Sequence, residues 1–497
     1  MDRSIIERLV HKFFKHKRTQ TPYAFILCAA LLFTVTTSRA TTNELPTLGN
    51  ESSSLISMEQ EKKLGRYWLN SLRAQVKVFE NPIVEEYLAQ LVYSLAPNSE
   101  VQDKDFRFVI VDSQALNAFA VPGSIIGINT GLFLHAITEQ EFASVLAHEL
   151  AHISQRHYAR RLEKQQISTP LTLAGILASV IVAATVGSDA GLATLASTQA
   201  LNAENQLSFS RQNEEEADRL GILTLYKSRY DPRAMPIMFE RMYRQSRVQG
   251  NSIPEYLSTH PLSENRISDT RNRATQYPRR NYVDNIEYHI SKGIIINTYA
   301  ESESSASKYF QSLIDNGNTV QVDGAEFGLA YAHLLSNPKI AADKLEALLS
   351  KYPGQISLEL TLAEALYNQG RKVSAVEKLK TLLDRNPNNY PITIKLSEIY
   401  ADLERYSKAE KLLSSLTRAQ AENPLVWYML AEIHGLAGNI AKVHQARAEY
   451  FVLSNRLEES IDQLKLAQQK TKNSTRESTL IQERLDEVRQ LKENKPF

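Results

Sequence analysis

The sequence predicts an α+β protein that is mainly α: a domain with a small sheet, followed by an α-solenoid. Three observations predict it. There are two short strand-like runs beside glycines, several helical patterns that open at caps, and a constant 34-residue period in the C-terminal part. At 497 residues the chain exceeds the roughly 100–200 residues of one ordinary core, so two or three units are expected. Its 43% hydrophobic and 23% charged residues are those of a globular chain and exclude wholesale disorder.

Residues 1–40 read as an export signal. A basic stretch through Lys12, Lys15, Lys17 and Arg18 precedes an apolar run from Tyr23 to Val35, and Ser38-Arg39-Ala40 places small residues at a bond cleaved near Ala40. That run is shorter than the ~20 residues of a spanning helix. The segment carries seven Lys/Arg against two Asp/Glu, so the +1 of the whole chain becomes −4 once it is removed. A nucleic-acid partner therefore has no electrostatic support. Cys28 is the only cysteine, so the mature chain forms no disulfide within itself and must rely on packing and metal.

The first domain is expected over 41–275. Helices are predicted at 59–76 and 83–95, the second opening after Asn81-Pro82 as a capped start does. Phe106 to Val111 and Ser124 to Asn129 read as strands. Between them Ala118-Phe119-Ala120-Val121-Pro122 is restricted by its proline to a sheet edge or loop. Thr138-Glu139-Gln140-Glu141 is a capping box, so a helix is predicted from there to about Leu162. Residues 165–203 form an apolar helical segment interrupted by Gly187-Ser188-Asp189-Ala190-Gly191. The break favours a hairpin over the cleft or in peripheral contact with a membrane; a span by Thr169 to Gly187 would instead make an integral membrane protein.

A connecting segment is expected at 276–305 and the repeat domain at 306–497. Ala341, Ala375 and Ala409 are 34 residues apart, as are Leu345, Leu379 and Leu413, then Leu362, Leu396 and Leu430. Pro353 and Pro387 keep the same step. Helix pairs at this period, with small residues at crowded contacts, are the tetratricopeptide pattern, in which each pair buries its apolar face by stacking on its neighbours. About four units fit into 325–470, with a capping helix at Glu477 to Lys492.

Chemistry concentrates in His148-Glu149-Leu150-Ala151-His152. On a helix the two imidazoles at i and i+4 face one side, about 5–6 Å apart, close enough to grip one ion. Imidazole and carboxylate donors together suit Zn²⁺, one per chain, and Glu149 beside it is placed to act as base and then acid. A third ligand from an HExxHxxGxxH scheme is excluded, because Gln155 and Tyr158 stand where glycine and histidine are required. His157 is one place off that scheme and reads as a surface residue. Another source is Asn213-Glu214-Glu215-Glu216-Ala217-Asp218, an ExxxD pair with Glu214 and Asp218 on one face. There Glu214 would bind the metal and Asp218 would accept the ring N–H of a ligating histidine. An acidic run is also what a solvated face looks like, and spacing alone leaves both readings open.

Asn117-Ala118-Phe119-Ala120, Pro122-Gly123 and Thr130-Gly131-Leu132, then HExxH, then Asn213-Glu214 with Ala217-Asp218, together resemble the CAAX prenyl-protease-like zinc peptidases. The likeness to a repeat-bearing, exported member of that group covers essentially the whole mature chain. It implies a zincin-type metallopeptidase domain with zinc on His148, His152 and Glu214, catalysis by Glu149, and a supporting or proton-donating Asp218. His260-Pro261 through Arg266 matches a further stretch of the family. It implies that His260 and Arg266 take an oxyanion-stabilising or regulatory part, although a histidine before proline also serves as a helix cap. Phe119, Ala120 and Val121 would pair with an extended substrate by strand addition. The resemblance further implies a periplasmic endopeptidase that removes misassembled outer-membrane β-barrel proteins, its repeats meeting their assembly machinery. The alternative is chiefly a chaperone or assembly factor with a latent protease site.

Overall fold

The structure is a computed structural model that describes residues 57–164, 210–248, 255–316, 319–471 and 474–493. The expected export signal, its cleavage near Ala40 and the apolar segment 165–203 lie outside the described residues. Among those described, no helix is long and apolar enough to cross a membrane.

The first domain opens with α1 (Met58–Gln75), held by a capping box in which Ser57 and Gln60 each bond the other's backbone N–H. Helix α2 (Pro82–Leu95) follows, capped by Asn81, whose side chain accepts from the N–H of Ile83 and Val84. The sheet then forms from β1 (Arg107–Val111), β2 (Ala118–Val121) and β3 (Ile125–Asn129) in the order β1-β3-β2. β1 runs parallel to β3, with Val109 opposite Gly127, and β2 runs antiparallel to it, with Phe119 opposite Gly127. Every residue of β3 is buried, as suits the central strand. β2 pairs with β3 alone among the described residues, so its outer edge is a row of backbone groups.

After α3 (Thr130–His135) comes α4 (Glu139–Ser154), buried at all but its last two residues. Half of the expected capping box forms: Thr138 accepts from Glu141 N at 3.2 Å, but the Glu141 carboxylate turns to Ile137 N at 2.7 Å and Arg241 at 2.6 Å. The helix expected to run to Leu162 is broken. Arg156 adopts φ 48°, a left-handed conformation, and the chain restarts as α5 (His157–Lys164). The domain continues with α6 (Arg211–Lys227), α7 (Ala234–Val248), α8 (Glu255–Thr259) and α9 (Glu264–Thr275).

Residues 276–305, expected as a connecting segment, instead carry α10 (Ile286–Tyr299), with Ile286, Tyr288, Ile290, Ile294 and Ile295 buried. Apolar residues lie on most of its faces, and so it has little helical stripe to read. Asn285 N donates to Glu139 at 2.7 Å, and Tyr288 Oη donates to the Ala136 carbonyl at 2.8 Å. One apolar cluster consequently runs from Val84 and Leu88 through Phe142 and Leu146 to Ile290, Leu345 and Ala375, joining the domain to the repeats without a seam.

Beyond two further helices, Glu303–Asn316 and Thr319–Ala332, helix pairs open at residues 338, 372, 406 and 440, a constant step of 34. The repeat-defining Ala341, Ala375 and Ala409 are buried at the contacts, as are Leu345, Leu379 and Leu413. Between successive pairs the turn needs a left-handed residue, met by Gly370 (φ 82°), Glu404 (φ 58°) and Gly438 (φ 77°) at equivalent positions. A last helix, Thr475–Glu493, buries Ile481, Leu485 and Val488 against the final pair.

Candidate metal centre

Helix α4 carries His148, Glu149 and His152, and α6 lies against it carrying Glu214 and Asp218. The approach is close because position 221 is glycine: a Cβ there would meet Met235 Cε at 2.8 Å and the backbone N of His148 at 3.3 Å. The four-residue spacings then set all five side chains into one buried space. His148 Nε2 lies 3.0 Å from His152 Nε2, and the Glu214 oxygens lie 3.5 Å from the first and 3.4 Å from the second. Donors at about 2.0–2.1 Å around a tetrahedral ion stand about 3.4 Å apart, so these separations fit such a set.

A fourth donor comes from the loop between α8 and α9. His260 Nδ1 is 3.2 Å from Glu214 Oε1, its Nε2 is 3.5 Å from Glu149 Oε1, and its ring stacks on Tyr256 at 4.5 Å between centroids. One donor atom from each of His148, His152, Glu214 and His260 falls within 4.8 Å of the others, and all four residues are buried. Glu149 is fully buried as well, and neither of its oxygens has a hydrogen-bond partner among the described residues. A carboxylate left so is costly unless its partner is polar and bound from outside the chain, which fits a metal site with attached solvent.

Behind the donors sits a layer of charge. Asp218 Oδ1 is 3.0 Å from His148 Nδ1, and the Arg266 guanidinium donates twice to Asp218, at 2.8 Å each. Arg266 Nη1 also lies 2.7 Å from Glu214 Oε2 and donates to the Pro261 carbonyl at 2.7 Å. Its guanidinium is thus directed at the ExxxD pair, with Phe239 packed over it at 5.1 Å. Burial alone would raise the Glu214 carboxyl, but His260 and Arg266 outweigh that and hold it well below the usual carboxylate range. Burial likewise lowers His148, yet Asp218 and Glu214 carry it up to about 9. His152 is pushed well down by burial and by the His148 charge.

His157 corrects the sequence reading: it is buried, not on the surface. Its Nδ1 lies 2.9 Å from His152 Nδ1 and its Nε2 lies 3.1 Å from Glu216, which Arg160 also holds at 3.0 Å. On an unbroken helix a residue five places on would face away from His152; the left-handed Arg156 turns it back. No local sequence signal marks that break. Phe119 is buried edge-on against Trp68, while Ala120 is half-buried and Val121 buried, so the outer edge of β2 presents backbone more than these side chains. A cavity of about 80 Å³ lies beside the end of β2, lined by Ala120, Val121, His152, Arg156 and Tyr158.

Residues 82–274 match Peptidase family M48, and residues 373–433 match a tetratricopeptide repeat. The chain is 32% identical over 458 residues to the Beta-barrel assembly-enhancing protease of Escherichia coli (strain K12), covering 91% of this chain and 93% of that one. It is 31% identical over 452 residues to the protein of the same name from Yersinia pestis, covering 90% and 92%. The mitochondrial metalloendopeptidase OMA1 of Arabidopsis thaliana is 30% identical over 171 residues, covering 34% of this chain and 32% of that one.

Proposed function

The chain belongs to peptidase family M48 as a metalloendopeptidase with a tetratricopeptide tail, and from that premise we propose that it is a zinc endopeptidase of periplasmic quality control. It degrades misassembled outer-membrane β-barrel proteins and assists their assembly through its repeat domain, which meets the assembly machinery. The observation that carries the peptidase reading is the buried group of three histidines and Glu214 beside the buried carboxylate of Glu149, which has no hydrogen-bond partner among the described residues. The relatives named for β-barrel assembly support the substrate class.

In this reading His148, His152 and Glu214 would hold the ion. Bound Zn²⁺ acts as a Lewis acid and lowers the pKa of water toward ~7. Glu149 takes the proton of the attacking water and returns it to the leaving amine. Asp218 lies 3.0 Å from His148 Nδ1, a placement that would take its N–H and leave the Nε2 lone pair for the ion. Arg266 fixes Asp218 and Glu214 together. The substrate lies extended along Phe119, Ala120 and Val121, reading backbone along the free edge of β2. Contact with a membrane, where it occurs, is peripheral and falls to residues 165–203.

One observation favours the alternative of a latent protease serving chiefly as an assembly factor. His260 stands among the donors, where it would compete with solvent for the fourth position and close the site. The test is Glu149→Gln, assayed on an unfolded outer-membrane β-barrel protein in vitro and for β-barrel assembly in cells lacking the wild-type chain. Loss of both cleavage and assembly supports proteolysis as the function; retained assembly without cleavage favours the assembly factor.

A further inference from the structure

We propose that His157 and Glu216 are positioning residues that set the proton on His152, so that its Nε2 lone pair is offered to the metal. This rests on the reading of His152 as a metal ligand. A carboxylate has no proton to donate, so at 3.1 Å the Glu216 oxygen accepts from His157 Nε2–H. A neutral imidazole that donates from Nε2 is an acceptor at Nδ1. At 2.9 Å the contact between the two Nδ1 atoms therefore places the proton on His152, which donates it to His157. His152 Nε2 is left with a lone pair, and that atom faces His148 Nε2 and Glu214.

The two ligating imidazoles are thus fixed by different means. His148 is held directly by Asp218 at 3.0 Å, from within the ExxxD pair. For His152 the same end is reached through an intervening ring, with Glu216 supplied from the third position of the acidic run. Arg160, 3.0 Å from Glu216, keeps that carboxylate turned to His157. Both relays begin on α6, so one helix carries the metal-binding carboxylate and the two acids that orient its imidazole partners. The left-handed Arg156 is the backbone condition for the second relay, since it returns His157 beneath His152.

The test uses the full mature chain and zinc alone. Zinc affinity is measured by competition with a chromophoric chelator, alongside the melting temperature of the metal-free protein, for wild type, His157→Phe, Glu216→Ala and His157→Gln. The proposal expects His157→Phe and Glu216→Ala to bind zinc roughly 10- to 100-fold more weakly, with the metal-free melting temperature near that of wild type. His157→Gln should recover part of the loss, because its amide both accepts and donates. Glu216 is partly exposed, so Glu216→Ala decides the matter even where His157→Phe does not fold. A fall in melting temperature with zinc affinity unchanged would mean ordinary packing and overturn the relay alone. A wild-type chain that binds no zinc would overturn the metal site and the relay with it.

Discussion

Glu149 sits one residue from His148 on a helix buried along nearly its whole length, and its carboxylate has no hydrogen-bond partner among the described residues. Replacing it with glutamine keeps size and polarity while removing the proton acceptor. Glu149→Gln should therefore lower kcat by about 10²–10⁴-fold with zinc content and KM little changed, as measured by peptide cleavage and metal analysis. A second expectation concerns the metal-free protein. With its folded pKa raised from 6.5 to about 9, His148 contributes stability that is complete below pH 6.5 and lost as pH rises through 9. Metal-free protein should therefore lose stability from this group over that window in denaturant titrations, whereas zinc-loaded protein should not follow the same curve. At this scale each four-residue pair, His148 with His152 and Glu214 with Asp218, was legible as sharing one helix face, whereas the meeting of the two faces followed from the family resemblance, since spacing alone left the acidic run open. His157 was not: its position depends on the backbone of Arg156, and arginine gives no sign of a left-handed turn.

Among elements, the repeat helices carry the clearest sequence record. Each period needs the same small residue at a crossing and the same leucine in the core, so burial selects one register again and again. Leu379→Ala should cost about 2–5 kcal/mol in chemical denaturation, since it opens a cavity between stacked pairs. The turn at Glu404 offers a change of opposite sign. Its neighbours in register are Gly370 and Gly438, and a non-glycine residue at φ 58° costs about 1–2 kcal/mol. Glu404→Gly should raise the midpoint of repeat unfolding, reduced somewhat by the greater freedom glycine gives the unfolded chain. Helix α10 escaped the sequence reading for the opposite reason. Its apolar residues have no single stripe, and Pro278-Arg279-Arg280 before it looks like a linker, although Ile290 and Ile294 lie in the central core.

Across the molecule, the repeats curl back onto the first domain, an arrangement that a periodic sequence does not encode. Glu422 accepts from Arg107 Nε at 2.5 Å and lies 3.3 Å from Arg66, while Tyr390 Oη donates to Glu85 at 3.2 Å. These contacts flank a cleft of about 680 Å³ between β1 and the helices at 406–454. Burial, with Glu80 beside it, raises the Glu85 carboxyl to about 7. Glu422→Lys sets like charges against Arg107 and Arg66, and limited proteolysis should then cut near this junction faster than in wild type. All of this assembly serves one claim, that two imidazoles on α4 and a carboxylate on α6 close on a single ion. The most direct measurement is elemental analysis of the purified protein beside Glu214→Ala and Glu215→Ala, Glu215 being exposed on the same helix. The account predicts roughly one zinc per chain in wild type and in Glu215→Ala, and loss of it in Glu214→Ala. Wild-type protein that cleaves substrate without stoichiometric metal, or zinc retained at full affinity by Glu214→Ala, would contradict it.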